Sequence, residues 1–584
     1  MNKRTLHAVA TALAATVAFG TAGCSGGKHS GGGQDRANGI NPATGNVGAA
    51  VGGTPQKGGT LTVLSNQDFT HLDPARNWVM GDMDFGTRLL YRTLVTYKAE
   101  PGAKGGELTP DLAEDLGVSS NGAKTWTFKL KKGLKYEDGT PITAQDIKYN
   151  VERSFSPDLP GGPDYAARYL AGAEGYQGPA QGKHLASVKT PDDHTIVFEL
   201  RKPFAEFPYA TVLPTFAPVP KSRDRGPQYD NRPFSSGPYK IESYARDKRL
   251  VLVRNTHWDP ATDAVRKAYP DRLVVVMGLK ANQIDDRLIA SQGPDASAVS
   301  WGKLRPESTP KVLTKADVKA RLLAESSNCT EMVQMHTARA PFDNVKVRQA
   351  VQYALDREAV LTASGGPALN DPATALMPGS LFGGKQPDSL RIPVTGDVTK
   401  ANQLLEEAGK PDGFATSITV SNGDKGVGEA IQQSLGRAGI RVVIETVDPS
   451  AFYDTIGDTK NRTDLVYTGW CPDYPSGSTF LPFVFDGRYI KEKGNSGNHS
   501  LFRDKATMKR MDAIAAMTDA ARANKAWQRL DGEILAKAPT APAVTERMPL
   551  LLGTNIAGAF GHTSFGGQID YATVGLKNPS RSAN

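Results

Sequence analysis

The chain has 584 residues, of which 39% are hydrophobic and 22% are charged. Such a composition fits a globular protein of two or three domains. The net charge of +8 is spread thinly, with no polybasic block, which argues against a nucleic-acid partner. Past the N-terminal residues, no apolar run reaches the roughly 18 residues that a membrane-spanning helix needs.

The N-terminal residues have the pattern of an export signal. Lys3 and Arg4 precede an apolar stretch over residues 6–19, and Thr21-Ala22-Gly23-Cys24 closes it. This ending resembles the lipobox of bacterial lipoproteins, which predicts a signal peptide over residues 1–23 and a lipidated Cys24. The alternative is a plain secretory signal that happens to contain a cysteine.

A glycine-rich segment follows. Residues 25–57 contain ten Gly and almost no bulky apolar side chain, so they cannot bury enough surface to fold. We therefore predict that residues 24–57 form the lipidated cysteine and a flexible tether.

The folded body is predicted to begin near Gly58 with a strand from Thr60 to Ser65, followed by a helix over residues 85–97. The alternation in residues 125–130 predicts a strand with Trp126 and Phe128 on its buried face. Asp138-Gly139 marks a turn, and Thr143 with Asp146 resembles a capping box at the start of a helix.

Further along, residues 194–200 read as a strand, and residues 345–360 and 398–408 read as amphipathic helices. Strands and helices alternate throughout, which predicts an α/β fold.

Motifs for catalysis are missing from the sequence. No His-Glu-x-x-His pattern, metal-spaced Cys/His pair or Walker-type phosphate loop occurs. The single Gly-x-Ser-x-Gly match straddles Cys24 and the tether, where no nucleophile elbow can form. We therefore expect no enzyme activity, no cofactor and no metal.

The chain contains three cysteines, Cys24, Cys329 and Cys471. If Cys24 carries lipid, an even pair remains in an oxidising compartment, which suggests one disulfide. On counting alone, two buried free thiols stay possible.

Four segments together point to one family: residues 126–146, Ser236-Gly237-Pro238-Tyr239 with residues 254–258, residues 347–357, and Gly469-Trp470-Cys471-Pro472-Asp473-Tyr474. In this order they resemble the large extracellular solute-binding proteins of ABC importers, family 5, which include oligopeptide- and dipeptide-binding lipoproteins. Leu72-Asp73-Pro74 is a weaker match, and Tyr136-Glu137 departs from the Phe-His that members often have.

The resemblance implies a periplasmic-binding-protein-like fold of two lobes and a hinge, in the large class with an extra domain. Domain I of lobe I would comprise residues 58–97, 223–328 and 541–584, and domain II residues 98–222. Lobe II would comprise residues 329–540.

The resemblance also implies site residues. Asp473 lies where peptide-binding members hold the ligand's α-amino group, and Cys329 and Cys471 lie where the oligopeptide branch has a disulfide. Trp78, Val79 and Met80 would lie extended along the ligand, and Gly469, Trp470 and Tyr474 would adjoin it. The alternatives are a surface-loop role for Asp473 and core positions for Trp78, Trp470 and Tyr474.

The implied function is a monomeric substrate-binding lipoprotein at the outer face of the cytoplasmic membrane, delivering peptides to an ABC permease and ATPase complex. The alternatives are a non-peptide solute (an oligosaccharide, a nickel chelate, haem or an opine), a secreted lipoprotein hydrolase, or a purely signalling receptor.

Overall fold

The computed structural model describes residues 46–179, 182–460, 463–492 and 497–582. The predicted signal peptide, Cys24 and the tether up to residue 45 lie outside the described residues. Within the described ranges, no helix is long and apolar enough to cross a membrane.

Residues 46–57 are attached to the body, so the expectation of a flexible tether is wrong for this part. Asn46 donates to the carbonyl of Leu322 at 2.8 Å. The backbone N–H groups of Val51 and Gln56 donate to the carbonyls of Ala559 and Leu576, each at 2.8 Å. Backbone pairing stabilises this segment even though it has few apolar side chains to bury.

A five-stranded sheet contains the predicted first strand, observed at Thr60–Leu64. In spatial order its strands are Ala298–Ser300, Thr60–Leu64, Arg272–Val276, Arg249–Arg254 and Tyr239–Ala245. Leu61 and Val63 are fully buried against the rest of this core. We call this sheet and the elements packed on it the five-stranded unit.

A four-stranded antiparallel sheet forms a second core. Its strands, in spatial order, are Val118–Ser120, Thr125–Lys129, Thr195–Glu199 and Val188–Asp192. Trp126 and Phe128 are buried there, as the alternation predicted. Helix Ala144–Arg153 begins with the predicted capping box, in which the Thr143 N–H donates to Asp146 at 2.9 Å. We call this the four-stranded unit.

The third core is built on a six-stranded mixed sheet. Its strands, in spatial order, are Asn370–Pro372, Thr540–Leu551, Leu322–Met335, Leu465–Trp470, Phe414–Ser421 and Ile440–Val447. Helices cover both of its faces, with Val333 and Met332 pointing into different cores. We call this the six-stranded unit.

Helices and short strands complete the described chain. The α-helices are Met80–Phe85, Ala144–Arg153, Tyr165–Tyr169, Phe207–Ala210, Ala281–Ala290, Thr309–Leu313, Ala316–Lys319, Val345–Ala354, Arg357–Ala363, Val398–Glu407, Lys425–Gly436, Pro449–Gly457, Leu481–Phe485, Lys505–Ala515 and Ala520–Ala536. Three short antiparallel pairs are Val95–Tyr97 with Leu108–Pro110, Ile556–Ala557 with Gly575–Leu576, and Gly561–His562 with Gln568–Ile569.

Two predicted helices differ from the structure. Residues 85–97 do not form the single helix that was predicted. Gly86–Leu90 is a π-helical turn, and Val95–Tyr97 is a strand, where β-branched residues favour extended backbone. The helix expected over residues 345–360 breaks at Leu355, whose backbone is extended. Asp356 then caps a second helix by accepting from the Ala359 N–H at 3.0 Å.

Two long antiparallel strands join the five-stranded and six-stranded units. Leu322–Ser326 pairs with Arg547–Leu551, and the register shifts before Thr330 pairs with Thr545. The domain boundaries predicted at 329 and 541 therefore fall inside continuous strands, next to an irregularity where a hinge can bend.

Candidate binding site between the units

Asp473 lies three residues beyond strand Leu465–Trp470, in the six-stranded unit. The last residue of this strand, Trp470, pairs with Thr330. The neighbours of this pair, Cys471 and Cys329, form the predicted disulfide. The backbone leading to Asp473 is therefore covalently fixed to the adjacent strand.

The side chain of Asp473 meets the four-stranded unit. The Tyr165 hydroxyl, on helix Tyr165–Tyr169, donates to Asp473 Oδ2. Burial raises the pKa of Asp473 to about 6, and the Tyr165 hydrogen bond and the nearby Arg168 oppose that rise. Arg168 itself pairs with Asp164, with 2.7 Å between Nε and Oδ1. Asp473 is thus a partly buried carboxylate whose described side-chain hydrogen-bond donor is neutral, an arrangement that favours an added cation.

A cavity of about 340 Å³ opens beside this carboxylate, and we call it the Asp473 cavity. Its walls come from three separate parts of the chain: Trp78, residues 162–165 with Arg168, and eight residues between Trp470 and Lys491, among them Asp473, Phe483 and Tyr489. Trp78 and Tyr489 keep 44% and 42% of their surface exposed, so both rings have free area for a ligand.

Trp470 is a fixed wall of the Asp473 cavity. Its indole N–H donates to the carbonyl of Thr479 at 2.8 Å, and its ring stacks on Phe483 with centroids 3.8 Å apart. A ring held on two sides loses little conformational freedom when a ligand packs against it.

The remaining predicted site residues have other positions. Tyr474 is 1% exposed, and its hydroxyl lies 2.8 Å from that of Tyr169, so it packs between the units instead of lining the cavity. Val79 and Met80 do not line the cavity, and Met80 begins helix Met80–Phe85, so the expected extended backbone is wrong at that residue. Gly469 does not line the cavity either; it precedes Trp470 and pairs with Glu331 of the adjacent strand.

Sequence reasoning missed the contribution of the four-stranded unit. Tyr165 and Arg168 line the Asp473 cavity, and Ser476 donates to Glu206 at 2.7 Å near by. These residues belong to no recognisable motif. The single local signal is the helical spacing of Tyr165, Arg168 and Tyr169, which any amphipathic helix can show.

In the described part of the chain, no group of three or more His, Cys, Asp or Glu residues is arranged to hold a metal ion.

Comparison with known proteins places this geometry in a class. The structure of "clavulanic acid biosynthesis oligopeptide binding protein 2" superposes with a TM-score of 0.85 and 34% identity, covering 92% of this chain and 99% of that one. The periplasmic murein tripeptide binding protein MppA, in its unliganded open form, shares the fold with a TM-score of 0.72 and 21% identity over 90% of this chain and 99% of its own. The fold is therefore the two-lobed α/β fold of periplasmic binding proteins.

The sequence narrows the class further. The model of bacterial extracellular solute-binding proteins, family 5 (middle region), matches residues 107–491, and the chain belongs to this family of ABC importer solute-binding proteins. The glutathione-binding protein GsiB of Shigella boydii is 27% identical over 374 residues, which cover 62% of this chain and 65% of that protein. The match thus spans just under two thirds of this curated relative's length.

Proposed function

We propose that the protein captures peptides with a free α-amino group in the Asp473 cavity and delivers them to an ABC permease. The observation that carries this proposal is the partly buried Asp473 carboxylate in the cavity wall, whose described side-chain donor is the neutral Tyr165 hydroxyl. A ligand ammonium supplies the missing charge and up to three N–H donors.

The names of the similar proteins support a peptide class of ligand. They refer to an oligopeptide, a murein tripeptide and glutathione. Other members of the fold bind different solutes: the protein AgaA, 20% identical, was solved in complex with agropinic acid. A non-peptide solute such as an opine is therefore the second candidate.

In this proposal, the five-stranded and four-stranded units form one lobe and the six-stranded unit forms the other. Ligand binding between them shifts an open–closed equilibrium that the permease senses. We further propose that Cys24 carries the lipid anchor at the outer face of the cytoplasmic membrane. Labelling with a radioactive fatty acid, compared between the native chain and Cys24→Ala, tests the anchor.

The binding proposal is tested by calorimetric titration of one peptide in two forms, with a free and with an acetylated amino terminus. We expect Asp473→Asn to weaken the free-amine peptide at least about tenfold, with a melting temperature close to that of the native chain. Asp412→Asn, an exposed aspartate outside the cavity, is the matched control. Equal affinity of both peptide forms for the native chain would refute the assignment of Asp473 to the amine.

A further inference from the structure

A second, larger cavity lies between the five-stranded and six-stranded units. Its volume is about 850 Å³, and we call it the Glu331 cavity. The five-stranded unit contributes Gln67 and Lys303 to its wall, and the six-stranded unit contributes Glu331 and Tyr453. The six-stranded unit forms one side of this cavity and of the Asp473 cavity, so under the proposed lobe assignment both spaces belong to the cleft between the lobes.

Three carboxylates of the six-stranded unit face this cavity: Glu331, Asp424 and Glu546. Lys303 approaches one of them, with 3.6 Å between its Nζ and Glu546 Oε1. The side chain of Glu331 makes no hydrogen bond or ion pair within the described residues, and its backbone pairs with Gly469. Burial and the negative charges of Glu546 and Asp424 raise the pKa of Glu331 to about 8. Asp285 is a fourth carboxylate on this wall, and the basic side chains that line it are Lys303 and Arg305, so carboxylates outnumber cations. A cation bound there would favour the ionised form of Glu331.

An open strand edge connects the two cavities. The parallel ladder between Phe414–Ser421 and Leu465–Trp470 ends at Thr419 and Val466, so the last residues of the second strand continue past it. On that continuation, Thr468 lines the Glu331 cavity and Trp470 lines the Asp473 cavity. Two residues of a strand span about 6–7 Å, so a short extended chain reaches from one cavity to the other.

Glu331 lies on the paired side of this strand, opposite Gly469, and its carboxylate reaches over that glycine. At Gly469, an added Cβ would come 2.6 Å from Glu331 Oε1 and 2.3 Å from the Thr330 carbonyl. Only glycine leaves room for the carboxylate at this position. The Glu331 carboxylate, which lines the larger cavity, therefore lies against the backbone of Gly469, the residue between Thr468 and Trp470.

We propose that both cavities hold one ligand, a peptide whose amino group lies at Asp473 and whose arginine or lysine side chain reaches Glu331, Asp424 and Glu546. This inference rests on the proposed function and narrows it to basic peptides. Such a side chain supplies the cation that the three carboxylates share. Tyr453, which is 56% exposed, and Tyr467 offer ring faces to a guanidinium or to the aliphatic stem.

The test is a calorimetric scan with tetra-alanine and three variants that carry one arginine at position two, three or four. Citrulline replaces arginine in a matched set, since it keeps the shape of the side chain and removes its charge. We expect one arginine position to bind about tenfold or more tightly than its citrulline counterpart. Glu331→Gln should abolish most of that difference, and Glu358→Gln, an exposed glutamate outside both cavities, should leave it unchanged.

The possible failures are distinguishable. If free-amine peptides bind through Asp473 but arginine and citrulline peptides bind equally, the basic-peptide inference is overturned and the proposed function stands. An arginine preference that Glu331→Gln leaves intact also overturns it. If no peptide binds, both proposals fall. Asp424→Asn is a second variant for the case that Glu331→Gln does not fold.

Discussion

Lowering the pH from 7 to 5 should weaken the binding of a free-amine peptide about tenfold, because Asp473 loses its charge in this range. With a pKa of about 6 in the protein alone, Asp473 is about 90% ionised at pH 7 and about 10% ionised at pH 5. A bound ammonium favours the carboxylate and lowers its pKa. The contribution of Asp473 to affinity is therefore fully present above pH 6 and is lost as the pH falls through that value, by about 1.4 kcal/mol per pH unit.

Neighbouring groups do not produce the same profile. Burial raises the pKa of Tyr165 well above 10, and Arg168 stays protonated throughout the range. The peptide's own amino group has an ordinary pKa near 8, so it is already mostly charged at pH 7.

The assay is calorimetric titration at several pH values, in two buffers of different ionisation enthalpy, which measures proton release directly. Binding at pH 5 should release close to one proton, and binding at pH 7 close to none. Asp473→Asn should remove this difference. A flat affinity profile for the native chain, or the same decline in Asp473→Asn, would refute the reasoning.

Three other perturbations follow from the contacts. Tyr165→Phe removes a hydrogen bond that stabilises the ionised Asp473, so the midpoint of the same profile should move to higher pH; a midpoint at or below the native value would contradict this. The double change Cys329→Ser with Cys471→Ser opens a cross-link with a sequence separation of 142, which should lower the free energy of unfolding in urea by up to about 5 kcal/mol. Arg153 donates two hydrogen bonds, of 2.6 and 2.7 Å, to the fully buried Asp73. Arg153→Met leaves this carboxylate without its cation and should lower the free energy of unfolding in urea by about 3–5 kcal/mol. A loss below about 1 kcal/mol would argue against a structural role for this pair.

Local patterns predicted local structure well. Trp126 and Phe128 alternate with polar residues, and Thr143 with Asp146 forms the capping box that the spacing indicated. The failures occurred where pairing with distant residues decides the conformation. Strand Val95–Tyr97 pairs with Leu108–Pro110. In residues 46–57, backbone N–H groups donate to the carbonyls of Leu322 and Leu576, which are far away in the sequence.

At the candidate site too, local patterns indicated some residues, while contacts between distant parts of the chain decided the others. Asp473 and Cys471 could be named from the sequence because they lie in one short segment that resembles a family motif, and Cys329 was the cysteine left to pair with Cys471 once Cys24 was assigned to the lipid. Tyr165 lies 308 residues from Asp473, and Glu206 lies 270 residues from Ser476. A tyrosine hydroxyl has many acceptable partners, so nothing in its own neighbourhood indicates which carboxylate it will meet.

Tyr165 also bears on how an amine can bind. An ionised carboxylate has about four acceptor positions, and one hydroxyl uses one of them. An ammonium can therefore join the Tyr165 hydrogen bond on Asp473 without displacing it. Ligand binding then adds a contact to those between the four-stranded and six-stranded units, among them Tyr169 with Tyr474 and Ser476 with Glu206. On this reasoning the amine strengthens the closed arrangement of the two units, and affinity and closure depend on the same carboxylate.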